Sequence, residues 1–113
     1  MLGRDNSENF YLYNMSALII ATRQSANYSS FYTALNALAD QAMAMVARMG
    51  VGTTYLTDTI SDYKITIFLD KGRIYTDYEI KIERKEELIY ETKQSFIRTL
   101  RSHCQDIMTF IFH

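Results

Sequence analysis

Residues able to do bond chemistry are few in this sequence and poorly placed to cooperate. His103 and Cys104 are neighbours, a juxtaposition of a base with a nucleophile. Consecutive side chains on a helix diverge by about 100°, so the pair cannot share the hydrogen bond that activates a thiol. With His113, the chain holds two histidines and one cysteine without the spacing of a zinc site. Gly50-Val51-Gly52 lacks the Lys-Ser/Thr and the following helix of a phosphate loop. Asp58, Asp70 and Asp77 fall on separate faces or at a turn, so no acid/base pair follows. No cofactor, metal or small-molecule ligand is implied, and the expected function is non-enzymatic.

The suggestive residues are aromatic. Strand periodicity places Tyr55, Phe68 and Tyr75 in a row on the outer face of a small sheet, next to Lys71 and Arg73. Such a row can anchor a protein interface by ring burial. Alternatively it can stack the bases of a single-stranded nucleic acid, with Lys64, Lys71 and Arg73 on the phosphates. The net charge is −1, with Lys and Arg spread along the chain. A dedicated nucleic-acid binder usually shows a basic stripe, so the protein interface is favoured.

The elements that must carry these residues are legible from periodicity. Tyr63, Ile65, Ile67 and Leu69 alternate with polar residues, and so do Ile74, Thr76, Tyr78, Ile80 and Ile82. Between them Asp70-Lys71-Gly72-Arg73 reads as a turn. Matching the apolar faces pairs Leu69 with Ile74 and Ile65 with Tyr78. That register also sets Lys64 against Glu79 and Asp62 against Lys81. A third strand, Thr53 to Ile60, turns at Ser61-Asp62 and brings Leu56 opposite Ile67. Asp58 then lies on the apolar side, reaching solvent or the Tyr78 hydroxyl.

Helices flank this three-stranded meander of residues 53–84. Phe31, Leu35, Leu38, Ala42, Met45, Val46 and Met49 share one face of a helix over 30–49, which Gly50 ends. Residues 86–111 contain neither Gly nor Pro and read as one long helix with Ile89, Phe96, Leu100, Ile107 and Ile111 inward. Its apolar tip, with Phe110 and Phe112, looks for a partner. Residues 1–9 read as a polar tail. Phe10 to Arg23 is apolar on nearly every side, closer to helix than to strand. It must be buried within or between subunits. Gln24 to Ser30 reads as a polar link.

The expected fold class is therefore α+β, a single domain of 113 residues with 48% hydrophobic and 22% charged content. The element order resembles, at the level of fold alone, the small α+β subunits that build phage neck and tail rings. One cysteine forms no internal disulfide, so a reducing, cytoplasmic setting or an intracellularly assembled particle is expected. The polar start shows no secretory signal. The apolar run at Ala17 to Ala21 is far short of the ~20 residues that span a bilayer. The expected role is an assembly or adaptor subunit that oligomerises or docks on a larger protein complex.

Overall fold

In the computed structural model the backbone is described for residues 8–112 and the side chains for residues 27–112. The chain divides into two compact units, Met1–Ser30 and Phe31–His113. Helix α1, Glu8–Arg48, begins in the first and ends in the second. Within the first unit the backbone is helical from Glu8 onward, so the apolar stretch at 10–23 is helix rather than strand. The polar link expected at 24–30 is helical too. Ser, Asn and Gln are only mildly unfavourable inside a helix, and no Gly or Pro is present to break it. Of the expected polar tail, Glu8 and Asn9 are helical and the rest lies outside the described residues. Among the described residues, no helix is long and apolar enough to cross a membrane.

In the second unit the described strands form one antiparallel sheet of four, in the order β1 (Gly52–Ile60), β2 (Tyr63–Lys71), β3 (Thr76–Arg84) and β4 (Glu87–Gln94). The expected α+β class is present, but the meander has a fourth strand where a helix was expected. After a short 3-10 turn at Ile97–Thr99, helix α2 spans only Leu100–Phe112. The physical reason lies in the β3–β4 turn. Arg84 pairs with Glu87, leaving Lys85-Glu86 as a two-residue loop in which both residues have positive φ, 53° and 67°. That conformation normally calls for Asn, Asp or Gly, so nothing in the side chains announces a hairpin. Ile89 is the extra residue of a bulge, which also breaks the alternation of β4.

The β1–β2 register is the expected one: Leu56 opposite Ile67, Ile60 opposite Tyr63 and Tyr55 opposite Phe68. The β2–β3 register is not. Leu69 pairs with Tyr78 rather than Ile74, Ile65 with Ile82 and Lys71 with Thr76, a displacement of four residues. An even displacement keeps every side chain on its own face, so matching apolar faces cannot detect it. Lys64 consequently faces Glu83, Lys81 bridges Glu91 at 3.6 Å, and the loop is Gly72 to Tyr75.

The inner face of the sheet buries Ile65, Ile67, Leu69, Tyr78, Ile80 and Ile82. Over them lie Phe31, Leu35, Leu38, Ala39 and Ala42 of α1, with Leu100, Cys104, Ile107 and Met108 of α2. The two helices are tied by an Arg101–Asp40 ion pair and a hydrogen bond from Gln105 Nε2 to Tyr32 Oη at 2.7 Å. Lys71 Nζ donates to the carbonyls of Val46 and Met49 at 2.6 and 2.7 Å, closing the C-terminal end of α1. Gly50, expected to cap that helix, has no positive φ.

Two outcomes check this architecture. Leu100→Ala should lower the urea unfolding free energy by about 2–5 kcal/mol, because the side chain is fully buried. Replacing Lys85-Glu86 by Asn-Gly should raise it by about 1 kcal/mol or more, since each L-residue held in the left-handed region costs roughly 1–2 kcal/mol. A helix across 85–94 would instead be weakened by that glycine.

Candidate interaction surface

The outer face of the sheet places Tyr55 and Phe68 directly opposite each other, with ring centroids 5.8 Å apart. Lys81 Nζ sits 5.3 Å from the Phe68 centroid. Tyr75 is not in this row. The displaced β2–β3 register puts Glu79 next to Phe68, and Lys93 beyond it on β4. Side-chain alternation gives this face the lysines Lys64, Lys81 and Lys93 against the carboxylates Asp70, Asp77, Glu79, Glu83 and Glu91. Asp70 and Asp77 are direct cross-strand partners. Glu79 and Glu91 share a hydrogen bond, which holds the Glu79 carboxyl above its ordinary value and Glu91 below it. A broad groove of about 680 Å³ runs past Tyr55, Phe68, Asp77 and Lys93. An acidic excess of this kind repels phosphates, which removes the main term in nucleic-acid binding.

A second exposed cluster forms where the β2–β3 loop meets the residues leading into α2. Ile74 is 91% exposed, Tyr75 49% and Phe96 45%. The Tyr75 and Phe96 rings lie 5.0 Å apart, and the Arg98 guanidinium is 5.6 Å from the Phe96 centroid. The three apolar residues and Arg98 border a groove of about 360 Å³. The loop is closed by the Gly72 N–H donating to the Tyr75 carbonyl at 3.0 Å, where a β-carbon on Gly72 would meet that carbonyl at 3.1 Å.

Phe96 is held there against its own preference. Its φ of 71° and ψ of 94° lie outside the regions that side-chain-bearing residues favour. The Phe96 carbonyl accepts hydrogen bonds from both the N–H and the hydroxyl of Thr99, each at 3.0 Å. With its proton spent on Phe96, the Thr99 hydroxyl accepts from Tyr78 Oη at 2.7 Å. Tyr78 is 2% exposed, and its ring stands nearly perpendicular to that of His103, 6.2 Å between centroids. Burial raises the Tyr78 phenol above its ordinary value, so it remains a donor. A chain of hydroxyls thus runs from the core to an exposed aromatic.

The residues expected to form an interaction site are therefore dispersed. Tyr55 and Phe68 are together, Tyr75 stands with Phe96, and Arg73 is exposed in the loop beside Ile74. Lys71 is committed to the end of α1. Phe112 packs edge-on against Phe31 at 5.4 Å, and Phe110 lies 5.2 Å from Tyr90 while remaining 40% exposed. Asp58 accepts the N–H of its neighbour Thr59 at 2.9 Å, while the Tyr78 hydroxyl is bonded to Thr99. Burial pushes the Cys104 thiol up to about 11, which keeps it protonated and unreactive. No group of three or more His, Cys, Asp or Glu among the described residues is placed to hold a metal.

Ile74 and Phe96, the centre of the second cluster, were expected in the core because each falls in step with an apolar face. The available signal was the loop glycine: shifting the turn to Gly72–Tyr75 would have exposed Ile74. No comparable mark accompanies Phe96. Comparisons with protein-family models, curated proteins and solved structures found no match.

The hydroxyl chain has a measurable signature. Thr99→Val leaves the Tyr78 phenol buried without an acceptor and should cost about 1–3 kcal/mol in urea unfolding. Tyr78→Phe removes one donor to a hydroxyl that keeps its other partner, and should cost less. The double variant should cost less than the sum of the two, which the cycle of unfolding energies checks.

Proposed function

We propose that this chain is a non-enzymatic assembly or adaptor subunit that docks on a larger protein through the Ile74, Tyr75 and Phe96 cluster. The observation that carries the reading is Phe96: an aromatic ring held partly in water, on a strained backbone, by a hydrogen-bonded connection to the core. Backbone strain persists where the surrounding structure over-determines it, and such sites are commonly functional. An exposed isoleucine beside two rings and an arginine has the composition of an interface hot spot. The aromatic pair Tyr55 and Phe68 offers a second surface, of the kind a subunit with several neighbours needs.

The likeness in element order to phage ring subunits rested on a three-stranded meander and a long final helix, so it lends no support. The surface chemistry supports a protein partner over a nucleic acid, because five carboxylates share the sheet's outer face with three lysines. A ring component of a virion and a cellular adaptor are both compatible with that chemistry.

A photo-crosslinking residue at position 74, introduced into the chain expressed in its native cells, should give a discrete protein adduct. Phe96→Ala should abolish that adduct by weakening binding about 2 kcal/mol or more, roughly thirtyfold. Adducts to nucleic acid, or a protein adduct indifferent to Phe96, would overturn the assignment.

A further inference from the structure

We infer that β1 pairs with the β1 of a second copy of this chain, antiparallel about a two-fold axis at Tyr55, so that two sheets join into one. The inference extends the assembly reading but uses a different surface, so either can fail alone.

The two edges of the sheet differ in how they are protected. Edge strands usually carry charges, prolines or bulges that stop them from pairing with another chain. The β4 edge has such devices: a bulge at Ile89 and the charged residues Glu87, Glu91 and Lys93. The β1 edge is nine residues long, longer than most strands, and its register with β2 is uninterrupted. It contains no Lys, Arg or Pro, and its one charge, Asp58, lies toward the hairpin turn, outside the Thr53–Thr57 stretch. The long, regular edge is the one left open.

The backbone groups on that edge can be identified. A two-residue hairpin loop closes on a hydrogen-bonded pair, here Ile60 with Tyr63. Alternation then directs the N–H and C=O groups of Leu56 and Asp58 toward β2, and those of Thr53, Tyr55, Thr57 and Thr59 away from it. The bond from the Thr59 N–H to Asp58 Oδ1 agrees, since that N–H lies outside the ladder. The Thr59 N–H is thereby already occupied, leaving Thr53, Tyr55 and Thr57 with both groups directed outward.

Those three residues are self-complementary in one register. With Tyr55 opposite its own symmetry mate, Tyr55 bonds Tyr55 and Thr53 bonds Thr57 across the seam in both directions. Both backbone groups of all three residues are then used, and the Thr59 N–H keeps its Asp58 partner. Asp58 meets Gly52, so no like charges face each other. On the outer face the exposed Tyr55 ring of each copy would come beside the other, extending the Tyr55–Phe68 contact across the axis.

The test uses the full-length chain in sedimentation equilibrium, with circular dichroism confirming that each variant is folded. The wild type is expected at twice its 13.2 kDa chain mass or an even multiple of it. Tyr55→Lys and Tyr55→Glu, each alone, should halve that mass, because the two-fold axis sets like charges against each other. Mixing the two variants should restore it, a rescue unique to a register that pairs position 55 with itself. A monomeric wild type, an unchanged mass in Tyr55→Lys, or an unrescued mixture would overturn the proposal. Hydrogen exchange on the unmutated chain gives an independent reading: the Thr53, Tyr55 and Thr57 amides should be protected in proportion to protein concentration. Fast, concentration-independent exchange would overturn the seam even if a variant failed to fold. Phe96→Ala should leave the mass unchanged, so loss of mass there, with none in Tyr55→Lys, would place self-association on the other cluster and refute this one.

Discussion

Everything in the Phe31–His113 unit depends on keeping one face of a twisted sheet dry. Ile65, Ile67 and Leu69 on β2, with Tyr78, Ile80 and Ile82 on β3, present a continuous apolar surface from the two central strands. Each such side chain contributes about 1.5–3 kcal/mol only if it is covered. The part of α1 from Phe31 to Arg48 supplies one cover, held at its C-terminal end by Lys71 on the Val46 and Met49 carbonyls and at its start by Phe31 against Tyr63. Helix α2 supplies the other, anchored by Leu100 and Ile107. The alanines Ala39 and Ala42 are fully buried, and small side chains there let α1 come close to its neighbours.

That single requirement also explains where polar groups enter the core. Tyr78 occupies an inward position on β3, so its hydroxyl must find a partner away from water. It finds Thr99, at the start of the descent into α2, and Thr99 in turn holds the Phe96 carbonyl. Satisfying one buried phenol therefore positions an exposed ring. The same coupling ties the exposed end of the sheet to its core through the hydrogen bonds of Tyr78, Thr99 and Phe96.

The outer face and the edges follow from the same alternation. Side chains that cannot point inward collect as interleaved lysines and carboxylates around the Tyr55–Phe68 pair. Charge excess there is negative, whereas the end cluster of Ile74, Tyr75 and Phe96 is apolar and β1 from Gly52 to Thr57 carries no charge.

Side-chain periodicity by itself determined the α+β class, the inward and outward faces of β1, β2 and β3, and the apolar face of α1 from Phe31 to Ala42, while the short turn at Ser61-Asp62 added the β1–β2 register. These are legible because period and burial are properties of neighbouring residues: a one-residue error would turn a whole face to water. The tertiary structure alone decided the β2–β3 register, because a slip of four residues keeps the faces and changes only which partners meet. It likewise decided that 87–94 is a strand. Lys85 and Glu86 have no preference for positive φ, and they adopt it because β4 can then add its ladder to β3. Both decisions moved residues of the expected surfaces: Tyr75 left the sheet, Lys71 was spent on a helix end, and Ile74 and Phe96 came out of the expected core into water. Local pattern specifies which side of an element faces in. Which distant backbone groups share a hydrogen bond is settled only by the energy of the whole assembled core.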